Sequence, residues 1–479
     1  MNTSDHATPD IAHLLERMKL AQQSQGFVPA ALRIDRLHRL MRLLQNNVEE
    51  FCSTLNADFG QRSRETTLMN DILATFSSMK YARSQVPNWM RQDQRAGVFP
   101  FNLFGARVEV RHDPKGVVGI LGTWNVPLFT SLAPLASVLA AGNRAMIKPS
   151  EHTPQTAALL ARLVANFFDE DELAVVNGGV EVSTAFSQLH FDHIVLTGSA
   201  RIGRSVMRAA ADKLVPVTLE LGGKSPVLIG KSASIEKAAH RIVLGKTMNA
   251  GQICVTPDTV YLPENKLEEF IHACIREHQA MYPTGAQDAG VTSIINASHQ
   301  QRLEKYLQEL ASRQVRVIAC GRHVTDTAEA IKQKCWPLHL VISPPADSSI
   351  AQDEIFGPLL QIETYSDIRD AVGKINAGDL PLALYYFGHD AQEERWVLDN
   401  TRSGGVTIND VLIHVAAHDA PFGGVGASGM GKYHGKEGFL EFSHARTVYR
   451  SGWWDPRKTF GLVPPYSEKV FSQLRKSIR

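Results

Sequence analysis

Apolar segments typical of buried strands alternate with amphipathic helical segments through much of this chain. The alternation runs from GVVGILG at residue 116 to VPVTLELGG, and it restarts with SPVLIG after Lys224. Strands separated by helices pair in parallel, and the helices then cover both faces of the sheet. We therefore predict an α/β fold with two doubly wound parallel-sheet domains, the first of nucleotide-binding size. Residues 11–86, which precede the alternation, are predicted to be helical.

Charge and cysteine content exclude several classes of protein. The 479 residues contain 50 Lys and Arg against 49 Asp and Glu, so there is no basic excess for binding nucleic acid. The first ten residues show no signal sequence, and no apolar stretch reaches the roughly 20 residues of a membrane helix. Five cysteines without a C-x-x-C pair suit a reducing compartment. We expect a cytoplasmic protein that binds neither nucleic acid nor a membrane.

A candidate phosphate loop, GSARIGRS, begins at Gly198, after a predicted strand and before a predicted helix. Backbone N–H groups in this position bind phosphate. The segment nearly matches a P-loop, but Arg204 replaces the required Lys and no strand ending in Asp follows to hold magnesium. A P-loop nucleotidase is therefore disfavoured. The alternative to phosphate binding is that Ser199 simply caps the helix.

The segment KPSE, which begins at Lys148 and ends at Glu151, closes another predicted strand. Open parallel sheets bind ligands at the ends of their strands, and a lysine with a carboxylate suits ribose hydroxyls. The alternative is a surface pair at the start of a helix.

Glycine-dense and metal-binding patterns are less specific. The segment PFGGVGASGMGKYHGKEGF and the shorter DEIFGP indicate close approach of the backbone, for packing as often as for a ligand. The histidines form no H-E-x-x-H pattern and have no cysteine partners at ligand spacing, so we predict no metal site.

Three polar residues could perform covalent chemistry. Cys254 lies in the loop NAGQICVTP, whereas Cys52 and Cys274 lie in helical patterns. Glu220 has apolar neighbours in VTLELGG, so burial would raise its pKa and make it a candidate base. Asn125, in GTWNVP, follows a buried strand and could donate to an oxyanion. The alternatives are a core cysteine, a carboxylate bonded to neighbouring backbone and a turn residue.

In their order and spacing these segments resemble the aldehyde dehydrogenase superfamily along essentially the whole chain. WNVPL, KPSE, TGSARIG, VTLELGGKSP, GQICV, EIFGP and PFGGVGASGMG all look like family motifs. NDVLIH, the glycine-rich segment after it and the PPYSE tail are similar to the class 3 branch, and within it to coniferyl aldehyde dehydrogenases. The chain departs from the family at Thr123, where many members have Pro, and at Ala200 and Arg201 in the phosphate loop.

The resemblance implies NAD(P)-dependent oxidation of an aldehyde to its carboxylic acid. Cys254 would attack the carbonyl, its backbone N–H and Asn125 would stabilise the oxyanion, and hydride transfer would leave a thioester. Glu220 would then activate the water that releases the acid. Two alternatives are an acylating enzyme that passes the thioester to coenzyme A, which has no need of Glu220, and a binding protein that has lost catalysis.

The resemblance also implies a cofactor site. Lys148 and Glu151 would hold the adenosine ribose, and Glu354 and Phe356 the nicotinamide ribose and ring. Because a carboxylate near the ribose favours a 2′-hydroxyl over a 2′-phosphate, we expect NAD, with NADP as the alternative. The other residues that the resemblance assigns to the cofactor are Thr123, Trp124, Ser150, Gly198, Ser199, Gly203, Leu221 and Gly222.

Phe129 and Ala133 are candidates for the aldehyde tunnel. If the residues after Asn125 form a helix, both lie on its face, where Phe129 would suit an aromatic ring and Ala133 would leave room for it. The alternative is that both are core residues. We expect coniferaldehyde to be oxidised to ferulate, with medium-chain or long-chain aliphatic aldehydes as the alternative substrates.

The resemblance divides the chain into three parts. Residues 1–104 and 119–221 form the NAD(P)-binding domain, and residues 222–404 the catalytic domain. Residues 105–118 and 405–479 supply oligomerisation strands, an active-site loop and a C-terminal arm. Because the strand near residue 107 and the tail after Phe442 offer edges to a partner subunit, we expect a homodimer.

Overall fold

Parallel sheets with helices on their faces form most of the protein, as a computed structural model of residues 10–321 and 334–478 shows. The first nine residues, where we predicted no signal sequence, lie outside the described residues. The predicted α/β fold class is confirmed. In chain order the strands are β1 (Asp93–Arg95), β2 (Arg107–Pro114), β3 (Val117–Leu121), β4 (Arg144–Lys148), β5 (Leu173–Val175), β6 (His193–Gly198), β7 (Val217–Leu221), β8 (Pro226–Ile229), β9 (Thr259–Pro263), β10 (Arg316–Ala319), β11 (His339–Ile342), β12 (Leu359–Tyr365), β13 (Ala383–Phe387), β14 (Gly405–Ile408), β15 (Gly429–Met430) and β16 (Ser443–Arg450).

The helices lie mostly between strands, as the alternation in the sequence predicted. No described helix is long and apolar enough to cross a bilayer. In chain order they are α1 (Ile11–Gln25), α2 (Ala30–Asn46), α3 (Val48–Phe59), α4 (Arg64–Thr67), α5 (Ala74–Trp89), α6 (Pro127–Ala140), α7 (Pro154–Phe167), α8 (Val180–Ser187), α9 (Ala200–Ala211), α10 (Ile235–Thr247), α11 (Leu267–Met281), α12 (Ala297–Ser312), α13 (Ser349–Gln352), α14 (Ile368–Ala377), α15 (Ala391–Asn400), α16 (Gly435–Glu441) and α17 (Glu468–Lys476). A π-helical turn, Leu68–Leu73, joins α4 to α5.

The first large sheet has six strands in the order β15-β7-β6-β3-β4-β5. All neighbours are parallel except β15, which runs antiparallel to β7 and pairs Gly429 with Glu220. The chain proceeds outward from β3 to β4 and β5 on one side, then returns to β6 and β7 on the other. The carboxyl ends of β3 and β6 therefore border a crevice, which is where open α/β sheets bind ligands.

The second large sheet has seven strands in the order β10-β11-β12-β9-β8-β13-β14. Only β10 is antiparallel to its neighbour. The structure differs from the predicted boundaries at two places, because β14 begins at Gly405 and β3 begins at Val117. Strand pairing thus places residues 405–408 in the second sheet and residues 117–118 in the first.

A small antiparallel sheet, β1-β2-β16, corrects our expectation about free edges. β2 pairs with β16 from Arg107↔Arg450 to Pro114↔Ser443, and β1 covers its other side. Of the two segments that we expected to offer edges to a partner, β2 is paired on both sides, and β16 keeps its outer edge unpaired among the described residues. Within the described part of the chain, β2 has no free edge, and the outer edge of β16 is mostly exposed.

The most buried helix, α6, connects the sheets to the functional site. Every one of its residues is buried, because its side chains are apolar or small on all faces. Pro127 starts the helix, where its missing N–H costs nothing, and the N–H of Leu128 bonds to the carboxylate of Asp71 at 3.0 Å. The buried Asp71 therefore fixes the turn that holds Asn125.

Candidate active site

Four neighbouring parallel strands end at one edge of the six-stranded sheet, and most of the predicted site residues follow them. Thr123, Trp124 and Asn125 come after β3, and Lys148 to Glu151 end and follow β4. Gly198 ends β6 and Ser199 follows it, and Leu221 ends β7 and Gly222 follows it. This arrangement brings together side chains that are far apart in the sequence.

Glu220, on β7, has the environment of a base. Its side chain is 2% exposed, and burial raises its pKa to about 8. The backbone N–H of Gly424 donates to Oε1 at 3.3 Å, whereas Oε2 is buried and has no hydrogen-bond partner among the described residues. One oxygen is therefore fixed and the other is left for a ligand or water.

Cys254 lies in a loop with unusual backbone geometry. Asn249, Ala250 and Gly251, just before it, all have positive φ, at 51°, 54° and 71°. Such residues are uncommon outside glycine and concentrate at functional sites, where surrounding contacts hold them. Here the buried side chain of Gln252 donates to the carbonyls of Asn249 and Ser293, at 3.0 and 3.1 Å.

The electrostatic environment of Cys254 opposes ionisation. Burial and the charges of Glu220 and Glu354 together raise the pKa of the thiol to about 12, and burial is the largest cause. The backbone N–H groups of Cys254 and Val255 act in the opposite direction because they hydrogen-bond to Sγ. Both carboxylates therefore act electrostatically on the sulfur. A thiolate here requires positive charge from outside these residues.

Asn125 is buried beside the cysteine loop. Its Nδ2 donates to the carbonyl of Gln252 at 2.9 Å, and its Oδ1 has no partner among the described residues. Its own carbonyl accepts from Asn249 Nδ2 at 2.9 Å and from an Arg62 guanidinium nitrogen at 3.3 Å. The structure thus joins Asn125 to the backbone two residues before Cys254.

Sequence reasoning missed the ion pair that supports Asn125. Arg62 and Asp71 are both fully buried, with 2.6 Å between guanidinium and carboxylate. A buried pair is costly to break, because the remaining charge loses its partner. The only signal in the sequence was a charged residue at each of two positions in a helical region, which is common on solvent-facing surfaces.

The loop that holds Glu354 and Phe356 is also fixed by residues we did not predict. The guanidinium group of Arg302 donates to the carbonyls of Ile355 and Phe356, at 2.6 and 3.1 Å. The N–H of Ile355 donates to the buried carboxylate of Asp258 at 3.0 Å. These three contacts determine where the Glu354 side chain can reach.

The carboxylate of Glu354 lies against the glycine pair after β7. A Cβ atom on Gly222 would collide with both carboxylate oxygens, so only glycine permits this contact. The N–H of Gly223 bonds to the carboxylate, but burial dominates and raises the pKa of Glu354 to about 7. Glu354 therefore faces the same loop that follows Glu220.

The residues that we assigned to the nucleotide lie at the ends of β4 and β6 and at the start of α9. Lys148 is buried, and its Nζ donates to the carbonyl of Pro149 at 2.7 Å and lies 3.7 Å from Glu151 Oε2. Ser199 caps α9 by accepting from the N–H of Ile202 at 3.4 Å, as our alternative stated. This cap occupies the Ile202 N–H, so phosphate would have to bind the earlier amides of the turn. Gly203 packs against Leu221, where a Cβ would be too close.

Aromatic residues form two groups of packed rings, one around Trp124 and one around Phe129 and His434, which we call together the aromatic wall. The rings of Trp124 and Phe356 are 5.5 Å apart in an edge-to-face arrangement, and His299 lies 4.8 Å from Trp124. Phe129 and Ala133 both lie on α6 and are buried, so the helix we assumed is present, although it begins two residues after Asn125. Phe129 contacts His434, at 5.9 Å between ring centroids.

Tyr433 was absent from our predictions. It is buried, and the charges of Glu220 and Cys254 add to burial in raising its pKa well above the ordinary value. The phenol therefore lies close to both proposed reactive groups. In the sequence it stands among glycines, whose density drew attention to packing rather than to the aromatic side chain.

Comparison with known sequences gives a consistent set of relatives. The model of the aldehyde dehydrogenase family matches residues 1–448. The coniferyl aldehyde dehydrogenase of a Pseudomonas species is 45% identical over 448 residues, which is 94% of this chain and 92% of the relative.

Comparison with solved structures agrees. An AldH from Staphylococcus aureus in a substrate-bound state superposes with a TM-score of 0.90 at 32% identity, covering 98% of this chain and 99% of the other. An aldehyde dehydrogenase from Mycobacterium tuberculosis in complex with NAD+ has a TM-score of 0.82 at 27% identity, covering 92% of this chain and 90% of the other.

Proposed function

Because the chain belongs to the aldehyde dehydrogenase family, which oxidises aldehydes with NAD(P), we propose that it converts coniferaldehyde to ferulate through a thioester on Cys254. The family resemblance inferred from the motifs is confirmed. The observation that supports hydrolysis is the position of Glu220, a buried carboxylate with one unpartnered oxygen and with its charge coupled to the Cys254 thiol. An acylating enzyme has no use for such a base.

In the first half of the proposed reaction the thiolate of Cys254 adds to the carbonyl carbon. The oxygen becomes an oxyanion, which needs hydrogen-bond donors. Asn125 Nδ2 carries two hydrogens, and the carbonyl of Gln252 engages one of them, so the second is available. Expulsion of hydride from the carbon restores the carbonyl as a thioester, and NAD(P), when bound, accepts that hydride.

In the second half Glu220 removes a proton from water. The resulting hydroxide adds to the thioester carbon, the carbon–sulfur bond breaks, and the carboxylic acid leaves. Glu220 can do this only while ionised. The unpartnered Oε2 is the oxygen that we assign to the water, because Oε1 already accepts from Gly424.

The pKa of Glu220 predicts the pH dependence of turnover. With a pKa near 8, the carboxyl is mostly protonated at pH 7 and ionised at pH 9. We expect kcat to rise about tenfold per pH unit below pH 8 and to level off above it, if hydrolysis limits the rate. A kcat profile that is flat from pH 6 to 9 while hydrolysis remains rate-limiting would contradict a raised pKa.

We assign NAD as the preferred cofactor. Lys148, Ser150 and Glu151 follow β4, where the carboxylate would accept from a ribose 2′-hydroxyl and repel a 2′-phosphate. Thr123, Trp124, Gly198, Ser199, Gly203, Leu221 and Gly222 would surround the rest of the dinucleotide, with Glu354 and Phe356 at the nicotinamide end. NADP remains the alternative.

The assignment of coniferaldehyde rests on the relatives and on the aromatic wall near Phe129. We expect kcat/KM for coniferaldehyde to exceed that for octanal by about tenfold or more, since an aryl ring can stack on this wall. Absorbance of the reduced cofactor, followed at equal enzyme concentration with both aldehydes, measures the ratio. A preference for octanal would replace the phenolic assignment with the aliphatic one.

We also propose a cytoplasmic location and a homodimeric assembly. All five cysteines are free, which suits the reducing environment of the cytoplasm. The exposed outer edge of β16 could pair with a second copy of the chain, which supports a homodimer. Light scattering of the purified protein measures its oligomeric state.

A further inference from the structure

His434 combines three features that each destabilise a fold: a buried polar ring, an unfavourable backbone conformation and ring nitrogens without hydrogen-bond partners. It follows Tyr433, it is 1% exposed, and its backbone has φ 79° and ψ 154°, a region that only glycine adopts readily. Neither of its ring nitrogens has a hydrogen-bond partner among the described residues. A buried polar group without a partner destabilises a fold unless something else satisfies it.

The imidazole of His434 is neutral. Burial lowers its pKa to about 3, and the nearby His418 adds to the effect. A neutral imidazole has one N–H donor and one nitrogen acceptor. A hydroxyl group can donate one hydrogen bond and accept another, so it can bind a donor nitrogen and an acceptor nitrogen at the same time.

His418 provides a second unpartnered nitrogen. Its ring centroid is 5.6 Å from that of His434, and its Nδ1 is buried without a partner among the described residues, although the side chain as a whole is partly exposed. No group of three or more metal-binding side chains was found in the described part of the chain, which argues against a metal ion here. The two histidines therefore offer buried donor and acceptor atoms to a polar organic ligand.

Aromatic rings surround His434. Phe422 stacks on His434 at 5.7 Å, and Phe129 and Tyr433 meet it edge to face at 5.9 and 4.8 Å. A ring-shaped ligand would have aromatic partners here, whereas an aliphatic chain would leave the polar nitrogens unsatisfied.

The cluster is also close to the proposed chemistry. Tyr433, directly before His434, is coupled to both Glu220 and Cys254. Gly424, two residues after Phe422, holds one oxygen of Glu220. A planar molecule with its aldehyde at Cys254 could therefore place its far end near the histidines.

We propose that His434 and His418 bind the phenolic hydroxyl of the aldehyde, so that they select hydroxylated aromatic aldehydes over those without the hydroxyl. The hydroxyl donates to one ring nitrogen and accepts from the other. This inference rests on the proposed function, because it specifies which feature of the substrate the same site recognises. Both histidines are positioning residues for the substrate, and neither takes part in bond making.

A pair of substrates tests this inference. Coniferaldehyde carries the ring hydroxyl and cinnamaldehyde lacks it. We expect His434→Phe to lower kcat/KM for coniferaldehyde about 10- to 100-fold, because the hydroxyl loses its hydrogen bond to a fully buried partner, while kcat/KM for cinnamaldehyde changes less than about threefold. His418→Phe, at a partly exposed position, should lower the coniferaldehyde value about fivefold and serves if His434→Phe does not fold.

Phe422→Leu is the control, because it disturbs the rings around His434 without removing a nitrogen. We expect kcat/KM for both substrates to decrease by the same factor. An equal decrease in kcat/KM for both substrates in the histidine variants, or no decrease for either substrate, would overturn the inference. A wild-type enzyme that does not favour coniferaldehyde over cinnamaldehyde would also overturn it. The octanal comparison in the wild type tests the proposed function separately, so the two failures are distinguishable.

Discussion

Replacing Cys254 with alanine is expected to lower aldehyde oxidation by at least about 10⁴-fold, because no other group in the site can form the thioester. Cys254 is the one cysteine that is not fully buried, and both neighbouring carboxylates act on its sulfur. Formation of the reduced cofactor, measured both in the first turnover and in the steady state, checks the expectation. Both should disappear together.

A matched control is Cys274→Ala. Cys274 is a buried residue of α11, on the helical layer of the second sheet, so its loss should cost some stability and leave the activity of folded protein unchanged. Circular dichroism of both variants shows whether each is folded. Aldehyde oxidation that survives in a folded Cys254→Ala protein would remove Cys254 from the mechanism.

The second expected result concerns Glu220→Gln. Glutamine has nearly the same shape but cannot accept a proton from water, so the first half of the reaction should continue while hydrolysis slows about 10²- to 10⁴-fold. Rapid mixing with excess aldehyde should therefore show a burst of reduced cofactor close to one equivalent per site, followed by slow turnover. Added hydroxylamine should intercept the accumulated thioester and release an acyl hydroxamate.

Glu363→Gln is the control for this variant, since Glu363 lies on β12 and pairs with Lys374 at 3.1 Å at the surface. It should leave both phases unchanged. If Glu220→Gln instead loses the burst and the turnover to the same extent, Glu220 acts before the thioester forms. Formation of an acyl-coenzyme A by the wild type, at the expense of free acid, would favour the acylating alternative.

Local pattern was enough to predict the strands that end at the site. The apolar segments before Asn125, Lys148 and Gly198 form β3, β4 and β6, because a strand buried on both faces must be apolar throughout. The carboxyl ends of parallel strands lie at one edge, so residues that follow them meet. For Cys254 and Glu220 the pattern alone left structural alternatives, and the family resemblance made the assignment.

Local sequence pattern could not predict the contacts between segments that are distant in the chain. The pairing of β2 with β16 joins residues more than three hundred positions apart, and each strand alone looks like a free edge. Arg62 and Asp71 look like surface charges until α6 is placed over them. His434 lies in a glycine-rich segment and was not predicted as a site residue. The structure shows that its ring nitrogens are buried and have no hydrogen-bond partner among the described residues.

The short strand β15 has a consequence for biosynthesis. Gly429 pairs with Glu220, and Gly424 holds its carboxylate, so the base is completed by residues that the ribosome makes some two hundred positions later. The nascent chain by then already contains Cys254, the five other strands of the first large sheet and all seven strands of the second. A growing polypeptide thus carries the proposed nucleophile for a long interval before the proposed base is held in place, and on this mechanism a prematurely terminated product would keep the thiol without the means to release what it captures.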